Sequence, residues 1–486
     1  MPVPSGDPHA CHRGRPRAVA PIPTAATAAT ALLLVAAIAR PAAADTPSSN
    51  VDFMYYGRMG IGWTASGQVV AGKYMNLGDH KAIGGRLEEG DYLEPGIRYH
   101  IKKAENEDDT SVDLVTDYEI FSLNGAIVSD LANGDINDIK IMPLQAYVQA
   151  KNVLTKGLTL WIGSNLYRKN DIHICDYFYF NSLPGQGIGA YYGGLDVAVL
   201  TQTGASSFFA TDLNAGMPAP AQPAVVQRER TMFIAQYSVP LAMGTSYVQG
   251  LGEFHVVPKS ADANRDAPAN VNPTDWGAVG GVKLHLDLGD GNFNDSSVRL
   301  GSGIANGAES GGSTYSTFGQ AGPDGTYSGA LGLEVVEHFL WNVDKLVSIN
   351  GYGTLHFSRG SSNYAGTPSP TDPTVVVTVP NNRFDYSFGA RATGYLSDQL
   401  HLIGEATFQT RKDEGRATGT AVKLSIAPTV VPTGERSNWA RPEMRLIYTL
   451  GLYNQAAVDQ LMSPYLQAMG PTKVAHFVGA RTEWWF

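Results

Sequence analysis

Apolar and polar residues alternate with a period of two along much of this chain. The clearest run begins at Val51, where the odd positions through Trp63 are mainly apolar or aromatic. The even positions from Asp52 to Thr64 are a mixed set, mostly polar or small. Because the side chains of a β-strand point alternately to its two faces, this pattern predicts a strand that separates two different environments. The run is also much longer than the strand of about 5–6 residues that is usual in soluble proteins.

The same alternation recurs in segments spread over the chain. It predicts further strands at residues 92–101, 276–287, 346–357, 383–392, 445–452 and 473–486. Most of these segments have the length of about 10 residues that a tilted membrane crossing needs. Between them we predict long polar loops rich in Gly, Asn, Asp and Pro, at residues 260–273, 287–297 and 359–382. The pattern therefore predicts an all-β protein.

Two architectures could produce such strands. A soluble β-sandwich buries its apolar faces against each other, whereas a transmembrane β-barrel turns them to lipid and its polar faces to a lumen. The strand lengths favour the barrel, and so do the aromatic residues at the ends of several apolar faces, where barrels carry aromatic girdles. The last predicted strand ends the chain on Phe486, and pairing it with the first strand would satisfy the edge groups that lipid cannot. We therefore predict a transmembrane antiparallel β-barrel.

The composition agrees with strands that face lipid on one side. Charged residues make up 16% of the chain, against roughly 25% in average soluble domains. The net charge of −10 argues against nucleic acid as a partner, because such proteins need a basic face. Beyond the N-terminus, no apolar run is long enough for a transmembrane helix.

The N-terminus has the features of a secretory signal peptide. Arg13, Arg15 and Arg17 form a basic region, an apolar stretch follows at residues 25–39, and small residues at 42–44 suit a cleavage site. We therefore predict a signal peptide over residues 1–44 and one barrel domain over residues 45–486. The exported chain would keep Cys175 as its single cysteine and could form no internal disulfide.

The predicted first strand resembles the start of the maltoporins, which are sugar-selective porins of the bacterial outer membrane. The similar positions are residues 51–53, 56–58 and 60–64. The resemblance continues at residues 86–89, 92–94, 160–163, 171–173, 176–179, 185–189 and 438–442, and in the Trp-rich C-terminus. Residues 201–435 match only in their alternating pattern.

This resemblance implies an 18-stranded barrel that assembles as a homotrimer, with an inward-folded third loop that narrows each pore. It also implies a path of aromatic side chains along the lumen, the greasy slide, beside charged residues that form a polar track. Aromatic rings can cover the weakly polar face of a sugar, and charged groups can exchange hydrogen bonds with its hydroxyls. Oligosaccharides and outer-membrane lipid are the implied partners, and no cofactor is implied.

By resemblance, the slide comprises Tyr56, Tyr92, Trp439 and Trp485, with Leu346 at a position where the family has an aromatic residue. Strand parity places the four aromatic residues on the lumen side and Trp484 on the lipid side. The polar track and constriction would comprise Arg58, Arg86, Glu94, Lys169, Asp171, Asp176 and Phe178.

The chain departs from the family at several of these positions. Lys169 stands where the family usually has Arg, which keeps the charge but loses the planar fork. Phe178 stands where the family has a constriction Tyr, and an Arg expected near Leu144 is missing. These departures leave two transport functions open: a porin selective for maltodextrin-like sugars, and a general porin for small polar solutes.

Functions of other classes have less support in the residues. Asp171, His173, Cys175 and Asp176 are metal-ligand types, but no distant His or Cys cluster completes a site. No Gly-x-Ser-x-Gly nucleophile motif occurs in the chain. We therefore predict no metal, no cofactor and no enzymatic activity. The alternatives of another class are a secreted carbohydrate-binding β-sandwich and a barrel-borne hydrolase.

Overall fold

The fold was analysed in a computed structural model of the chain. It describes residues 50–64, 75–78, 83–122, 125–127, 139–203, 229–261, 271–307, 314–315, 317–319, 321–322, 324–361, 367–368, 376–377 and 381–486. The predicted signal peptide, residues 1–44, lies outside these residues. No helix in the described part is both long and apolar enough to cross a membrane.

Eighteen long strands form a single antiparallel sheet. They are β1 (Val51–Thr64), β2 (Tyr92–Lys102), β3 (Ser111–Ser122), β4 (Ile139–Lys151), β5 (Thr159–Asn165), β8 (Gly185–Tyr192), β9 (Leu195–Thr203), β10 (Glu229–Pro240), β11 (Tyr247–Val257), β14 (Asp275–Gly289), β15 (Asn292–Gly303), β16 (Leu331–Val343), β17 (Val347–Arg359), β20 (Asn382–Tyr395), β21 (Leu400–Asp413), β22 (Gly419–Val430), β23 (Glu443–Tyr453) and β24 (Val474–Trp485).

Short elements lie in the connections between the long strands. Three two-stranded hairpins are formed by β6 (Asp171–Ile172) with β7 (Tyr177–Phe178), β12 (Ser260–Ala261) with β13 (Val271–Asn272), and β18 (Thr367–Pro368) with β19 (Val376–Val377). Two short helices, α1 (Gln455–Asp459) and α2 (Pro464–Met469), precede the last strand.

The sheet closes on itself because the last strand pairs with the first. β24 runs antiparallel to β1, with Tyr56 opposite Trp485 and Thr64 opposite Phe477. The other long strands each pair with the next one along the chain, so the barrel is an up-and-down meander. This closed barrel of 18 strands confirms the predicted fold and excludes the β-sandwich, whose two sheets would keep open edges.

Exposure along the strands follows the predicted parity. On β24, Val478 is 50% exposed, whereas Arg481 on the other face is 6% exposed. On β20 the aromatic residues Phe384 and Phe388 are exposed, and Arg383 on the opposite face is buried. The apolar faces therefore point outward, as in a barrel that contacts lipid, and the polar faces point into the barrel.

One predicted loop is wrong. Residues 287–297, which we expected to be a long polar loop, are the end of β14, a tight turn and the start of β15. Asp290 and Gly291 form the turn with φ values of 53° and 72°. Both central residues of a type I′ hairpin turn need positive φ, and Asp-Gly is a preferred pair for that geometry. Composition alone had suggested a loop because Asp, Asn and Gly are dense here.

The connections differ in length at the two ends of the barrel. Turns such as residues 193–194, 290–291 and 344–346 join strands at one end, while the connection between β1 and β2 and the connection from β5 to β8 lie at the other. Outer-membrane barrels carry short turns on the periplasmic side and longer loops outside the cell. Residues 75–78, 83–91 and 166–184, all at the long-loop end, pack against buried side chains of the barrel strands. These segments help build the candidate site.

Candidate functional site

Four of the predicted slide residues lie together around one loop histidine. The Tyr56 ring lies 6.0 Å from Tyr92 and 6.5 Å from Trp485, between ring centroids. His173 meets the Trp485 ring edge-on at 5.3 Å and lies 6.2 Å from the Trp439 ring. We call these five residues the aromatic cluster.

The closing strand pair explains why residues distant in sequence meet here. Tyr56 faces Trp485 across the junction of β1 and β24, and Arg58 faces Tyr92 across β1 and β2. Glu94 lies opposite Tyr56 on β2 and accepts a 3.0 Å hydrogen bond from the Tyr92 hydroxyl. The strand parity that points into the barrel is shared by Tyr56, Arg58, Tyr92, Glu94 and Trp485. Local strand geometry and closure therefore place this part of the site.

Two arginines that were predicted to belong to a polar track converge on the Tyr56 hydroxyl. It accepts hydrogen bonds from Arg86 at 2.9 Å and from Arg58 at 3.2 Å. Both guanidinium groups also pair with Glu89, at 2.8 Å from Arg86 and 3.2 Å from Arg58. Arg86 further lies 3.5 Å from Asp176. Three predicted track residues therefore lie in one network beside the aromatic cluster.

A second charge network centres on Glu483, which is 5% exposed. Its carboxylate accepts a 2.8 Å hydrogen bond from the Tyr56 hydroxyl and a 2.8 Å ion pair from Arg441. It also pairs with Arg445 and lies 3.2 Å from the His173 Nε2. A buried carboxylate requires this kind of compensation, because an isolated charge would be strongly destabilised away from water.

The loop histidine is electrically neutral at neutral pH. Burial lowers the pKa of His173 to about 4, although the nearby Glu483 carboxylate acts to raise it. Arg86 behaves in the opposite way: burial acts to lower its pKa, but Glu89 and other anionic partners hold that pKa well above its usual value. The cluster therefore presents a fixed cation beside an imidazole that can donate or accept a hydrogen bond.

Lys169 and Phe178 lie on the same loop as His173 but contact other partners. Lys169 forms an ion pair with Asp196 on β9, and the Tyr167 hydroxyl donates to the same carboxylate at 2.9 Å. The Phe178 ring lies under the Arg168 guanidinium, 3.8 Å from its centroid. Arg168 was not among the predicted residues, and it lies beside the ring that replaces the family's constriction Tyr.

The loop of residues 166–184 carries Lys169 and Phe178. It also contacts strands that are far from β5 and β8 in the order of strands around the barrel. The Tyr177 hydroxyl donates to Glu334 on β16 at 2.6 Å. The Tyr179 hydroxyl donates to Asp295 on β15 at 3.1 Å. Hydroxyl-to-carboxylate contacts of this kind are stronger than hydrogen bonds between neutral groups. They fix the loop against buried faces of strands far from β5 and β8.

The remaining predicted residues occupy two different places. Asp171 pairs with Phe178 in the short hairpin of β6 and β7, and its carboxylate lies 3.8 Å from the His173 Nδ1. Leu346 lies apart, in the turn between β16 and β17, where it is 62% exposed. Cys175 is buried within the same loop as Asp171.

Four members of the site have no slide or track role in the prediction from sequence. His173 and Glu89 lie in stretches that resemble the maltoporins, and His173 is also one of the metal-ligand types considered above. Arg441 lies in another similar stretch, and Glu483 lies in the last predicted strand. The parity of β24 gave a usable signal for Glu483, since a charged residue two positions from the C-terminal Trp485 must face the lumen. No such signal existed for His173, which reaches the cluster from a loop.

The arrangement suits a polar, uncharged ligand. Aromatic rings can cover apolar C–H faces, and paired arginine and carboxylate groups offer donors and acceptors at their rim. Among the described residues, no group of three or more His, Cys, Asp or Glu side chains could hold a metal ion.

Solved outer-membrane proteins match this chain over most of its length at low identity. OccK2 (OpdF) of Pseudomonas aeruginosa is 10% identical, with a TM-score of 0.43, and the match covers 90% of this chain and 98% of that one. OpdK of Pseudomonas aeruginosa with vanillate is 9% identical, with a TM-score of 0.41 and the same coverage, 90% and 98%. The trimer form of OmpT of Vibrio cholerae is 9% identical, with a TM-score of 0.38, and the match covers 90% and 99%.

These likenesses are too distant to indicate a ligand or an assembly. A family comparison gives the assignment instead, because the profile of the LamB porin family matches residues 51–486, which includes every strand of the barrel. This chain therefore belongs to the LamB porin family.

Proposed function

We propose that this porin is a passive, sugar-selective channel that lets maltodextrin-like oligosaccharides diffuse across a bacterial outer membrane. Its family and its barrel support a porin role, that of a channel rather than an enzyme, in the outer membrane. The observation that carries the sugar preference is the aromatic cluster lined by two networks of paired charges. A slide of this kind needs no cofactor and no energy source.

The chemistry of the cluster matches the chemistry of a sugar chain. A pyranose ring can rest its C–H face on Tyr56, Tyr92, Trp439 or Trp485 and move from one ring to the next. Its neutral hydroxyls can exchange hydrogen bonds with the charged groups around Arg58. Each contact is weak, and transport requires binding that is weak enough for release.

We further propose that residues 166–184 fold into the lumen and form the constriction. The contacts of Tyr177 with Glu334 and of Tyr179 with Asp295 support this, because both carboxylates lie on the buried, polar face of the barrel. With His173 at the aromatic cluster, the same loop would bridge opposite parts of the wall. A solute would then have to pass directly beside the cluster.

Export and assembly belong to the same proposal. Residues 1–44 would direct export and be removed, and the outward apolar faces would contact lipid and neighbouring copies in a homotrimer. Heat-modifiable oligomers in the outer-membrane fraction are the expected finding. Recovery in a soluble secreted fraction would contradict the proposed location.

The test of function is the current through the channel in a planar bilayer. Added maltotriose should block the ion current in a saturable way, because a bound sugar occupies the path of the ions. Equal concentrations of a small polar solute such as urea serve as the control. Absence of saturable block by any neutral sugar would refute the sugar-selective reading.

A general porin for small polar solutes is the second candidate, and Phe178 is the observation that favours it. Its ring offers no hydroxyl at the constriction and is covered on one face by Arg168. Such a channel would conduct ions and small solutes with little sugar block. The same bilayer titration therefore separates the two candidates.

A further inference from the structure

Beside the aromatic cluster, the barrel contains a cavity that is lined by aromatic and polar side chains. It has a volume of about 520 Å³ and lies between residues 165–169 and the inward faces of β4 and β5. Ligand-binding cavities commonly measure about 300–1,000 Å³. Tyr191 and Lys151 also line it, so it extends from the loop toward the short-turn end of the barrel.

Two aromatic rings form one wall of this cavity. Tyr147 on β4 and Trp161 on β5 meet edge-to-face, with 6.3 Å between ring centroids. The Trp161 indole lies directly over Gly189 of β8, since a Cβ at Gly189 would come within 2.3 Å of the indole nitrogen. The missing side chain lets the indole lie flat on the wall. The result is an aromatic surface built into strands, where its position is fixed.

Amide side chains line the same space. Gln149 donates to Asp113 on β3 at 3.3 Å, and Gln145 donates to Asp117 on the same strand. These contacts fix the nitrogen of each amide, and its carbonyl oxygen can then accept a hydrogen bond from a hydroxyl. Asn165 has the complementary arrangement, because its carbonyl oxygen already accepts from the Tyr167 backbone and leaves an amino group that can donate. Neutral donors and acceptors in such a set fit hydroxyls better than ions.

The charged groups at the rim join this cavity to the aromatic cluster. Glu94 lines the cavity and also accepts from the Tyr92 hydroxyl at 3.0 Å. Lys169 lines it too, and its charge is compensated by Asp196. A ligand leaving Tyr92 would therefore meet Glu94 at the edge of the cavity.

We propose that this cavity, lined by Tyr147, Trp161, Gln145, Gln149 and Glu94, is a second saccharide-binding site, lateral to the slide and on the short-turn side of the constriction. The proposal rests on the proposed function, because both sites serve the same solute. It assigns roles to residues that the resemblance to maltoporins did not supply. The cavity would hold one end of an oligosaccharide while the rest remained on the slide.

Current block by maltotriose in planar bilayers tests this site, with the slide and the cavity disabled separately. The variant Trp485→Ala should weaken the block but leave a residual component. Adding Tyr147→Ala should raise the half-blocking concentration of that residual component by about three- to tenfold, the range expected from losing one aromatic contact. Tyr147→Phe should keep the residual block, because it keeps the ring.

The matched control is Tyr118→Ala, which removes a tyrosine of the same size from β3, where it is exposed on the outer face. If Tyr147→Ala and Tyr118→Ala give the same half-blocking concentration, both in the wild type and in Trp485→Ala, the cavity binds no sugar. The slide would then be the one sugar-binding site that remains proposed. If the wild-type channel shows no block at all, the proposed function fails first and this site fails with it.

Folding is checked by heat-modifiable migration of each variant. Should Tyr147→Ala fail to fold, Gln149→Leu provides the second variant, since it keeps a side chain of similar size and removes the amide. It should also raise the half-blocking concentration of the residual component in the Trp485→Ala background. An unchanged residual block in folded Gln149→Leu would overturn the proposal.

Discussion

Replacing Trp485 by alanine should weaken sugar binding while leaving the open-channel ion current nearly unchanged. In the structure, Trp485 lies beside Tyr56 and edge-on to His173, and the Arg441 guanidinium covers the indole at 4.1 Å. Arg441 is itself held by Glu483. Removing the indole therefore deletes one aromatic surface from the cluster without removing a charge from the lumen.

The expected magnitude follows from the contact that is lost. Aromatic contacts contribute about 0.5–1.5 kcal/mol beyond the area they bury. A loss of about 1 kcal/mol corresponds to about a fivefold rise in the sugar concentration that blocks half of the current. Ion conductance depends on the cross-section and on the charges, and the Glu483 network persists in the variant.

The neighbouring Trp484 gives a matched control, because it has the same side chain one position earlier on β24. Trp484 packs on the outer face, where a Cβ at Gly57 would lie 2.4 Å from its ring and where Tyr55 lies 5.9 Å away. Trp484→Ala should leave the sugar block unchanged. Both variants are first checked for heat-modifiable migration, because the last strand closes the barrel.

Equal loss of sugar block in Trp484→Ala and Trp485→Ala would refute the parity reasoning for β24. A loss in Trp485→Ala together with an equal drop in open-channel conductance would refute the assignment of Trp485 to sugar contact alone.

Three further changes test other parts of the site. Phe178→Tyr should lower the sugar concentration that blocks half of the current by about three- to tenfold, since one added hydrogen bond contributes about 0.5–1.5 kcal/mol. An unchanged half-blocking concentration would show that the side chain at position 178 does not contact the sugar. Because burial lowers the pKa of His173 to about 4 from its usual 6.5, the folded channel should gain this positive charge only as the pH falls to about 4. The reversal potential in a salt gradient should therefore differ between the wild type and His173→Gln only near pH 4, where the wild type gains one more positive charge while the carboxylates of both channels are being protonated; a difference that already appears near pH 6.5 would contradict the burial. Lys423→Met should lower the free energy of unfolding by about 3–5 kcal/mol, because it leaves Glu88 buried without its cation. Lys412 is exposed, so Lys412→Met should change the free energy of unfolding little. Unfolding in guanidinium measures the stability of both variants. Equal stability of the two would refute the role of Lys423 in compensating the buried charge of Glu88.

The strands could be predicted because their signal is local. Alternation between two faces appears in any ten consecutive residues, so the segment from Val51 to Thr64 was assigned with the bounds that the structure has. The tight turn at Asp290 was missed for the opposite reason. There the backbone geometry of Asp290 and Gly291 decides the structure, and a count of polar residues cannot distinguish a two-residue turn from a loop.

Strand parity predicted which side chains on the barrel wall point into the site, but it could not predict the loop residue His173 at the centre. Tyr56, Tyr92 and Trp485 lie on strands, and strand geometry alone directs them inward. His173 joins them from a loop, and its position depends on contacts that the loop makes elsewhere, such as Tyr177 with Glu334. Contacts of this kind join residues far apart in sequence, and no local pattern encodes them.

The pairing of charges around the site bears on selectivity more than their number does. Arg58 and Arg86 share Glu89, and Arg86 also lies beside Asp176. Arg441 and Arg445 share Glu443 and Glu483, so four carboxylates compensate the four arginines near the aromatic cluster. A single uncompensated arginine would favour small anions by its field, whereas paired groups present alternating donors and acceptors with little net field. A neutral solute with many hydroxyls can exchange hydrogen bonds with both members of each pair, and an ion gains from one member what it loses to the other. We therefore expect the described charge network to favour neutral, hydroxyl-rich solutes over ions, and this expectation is independent of which sugar fits best.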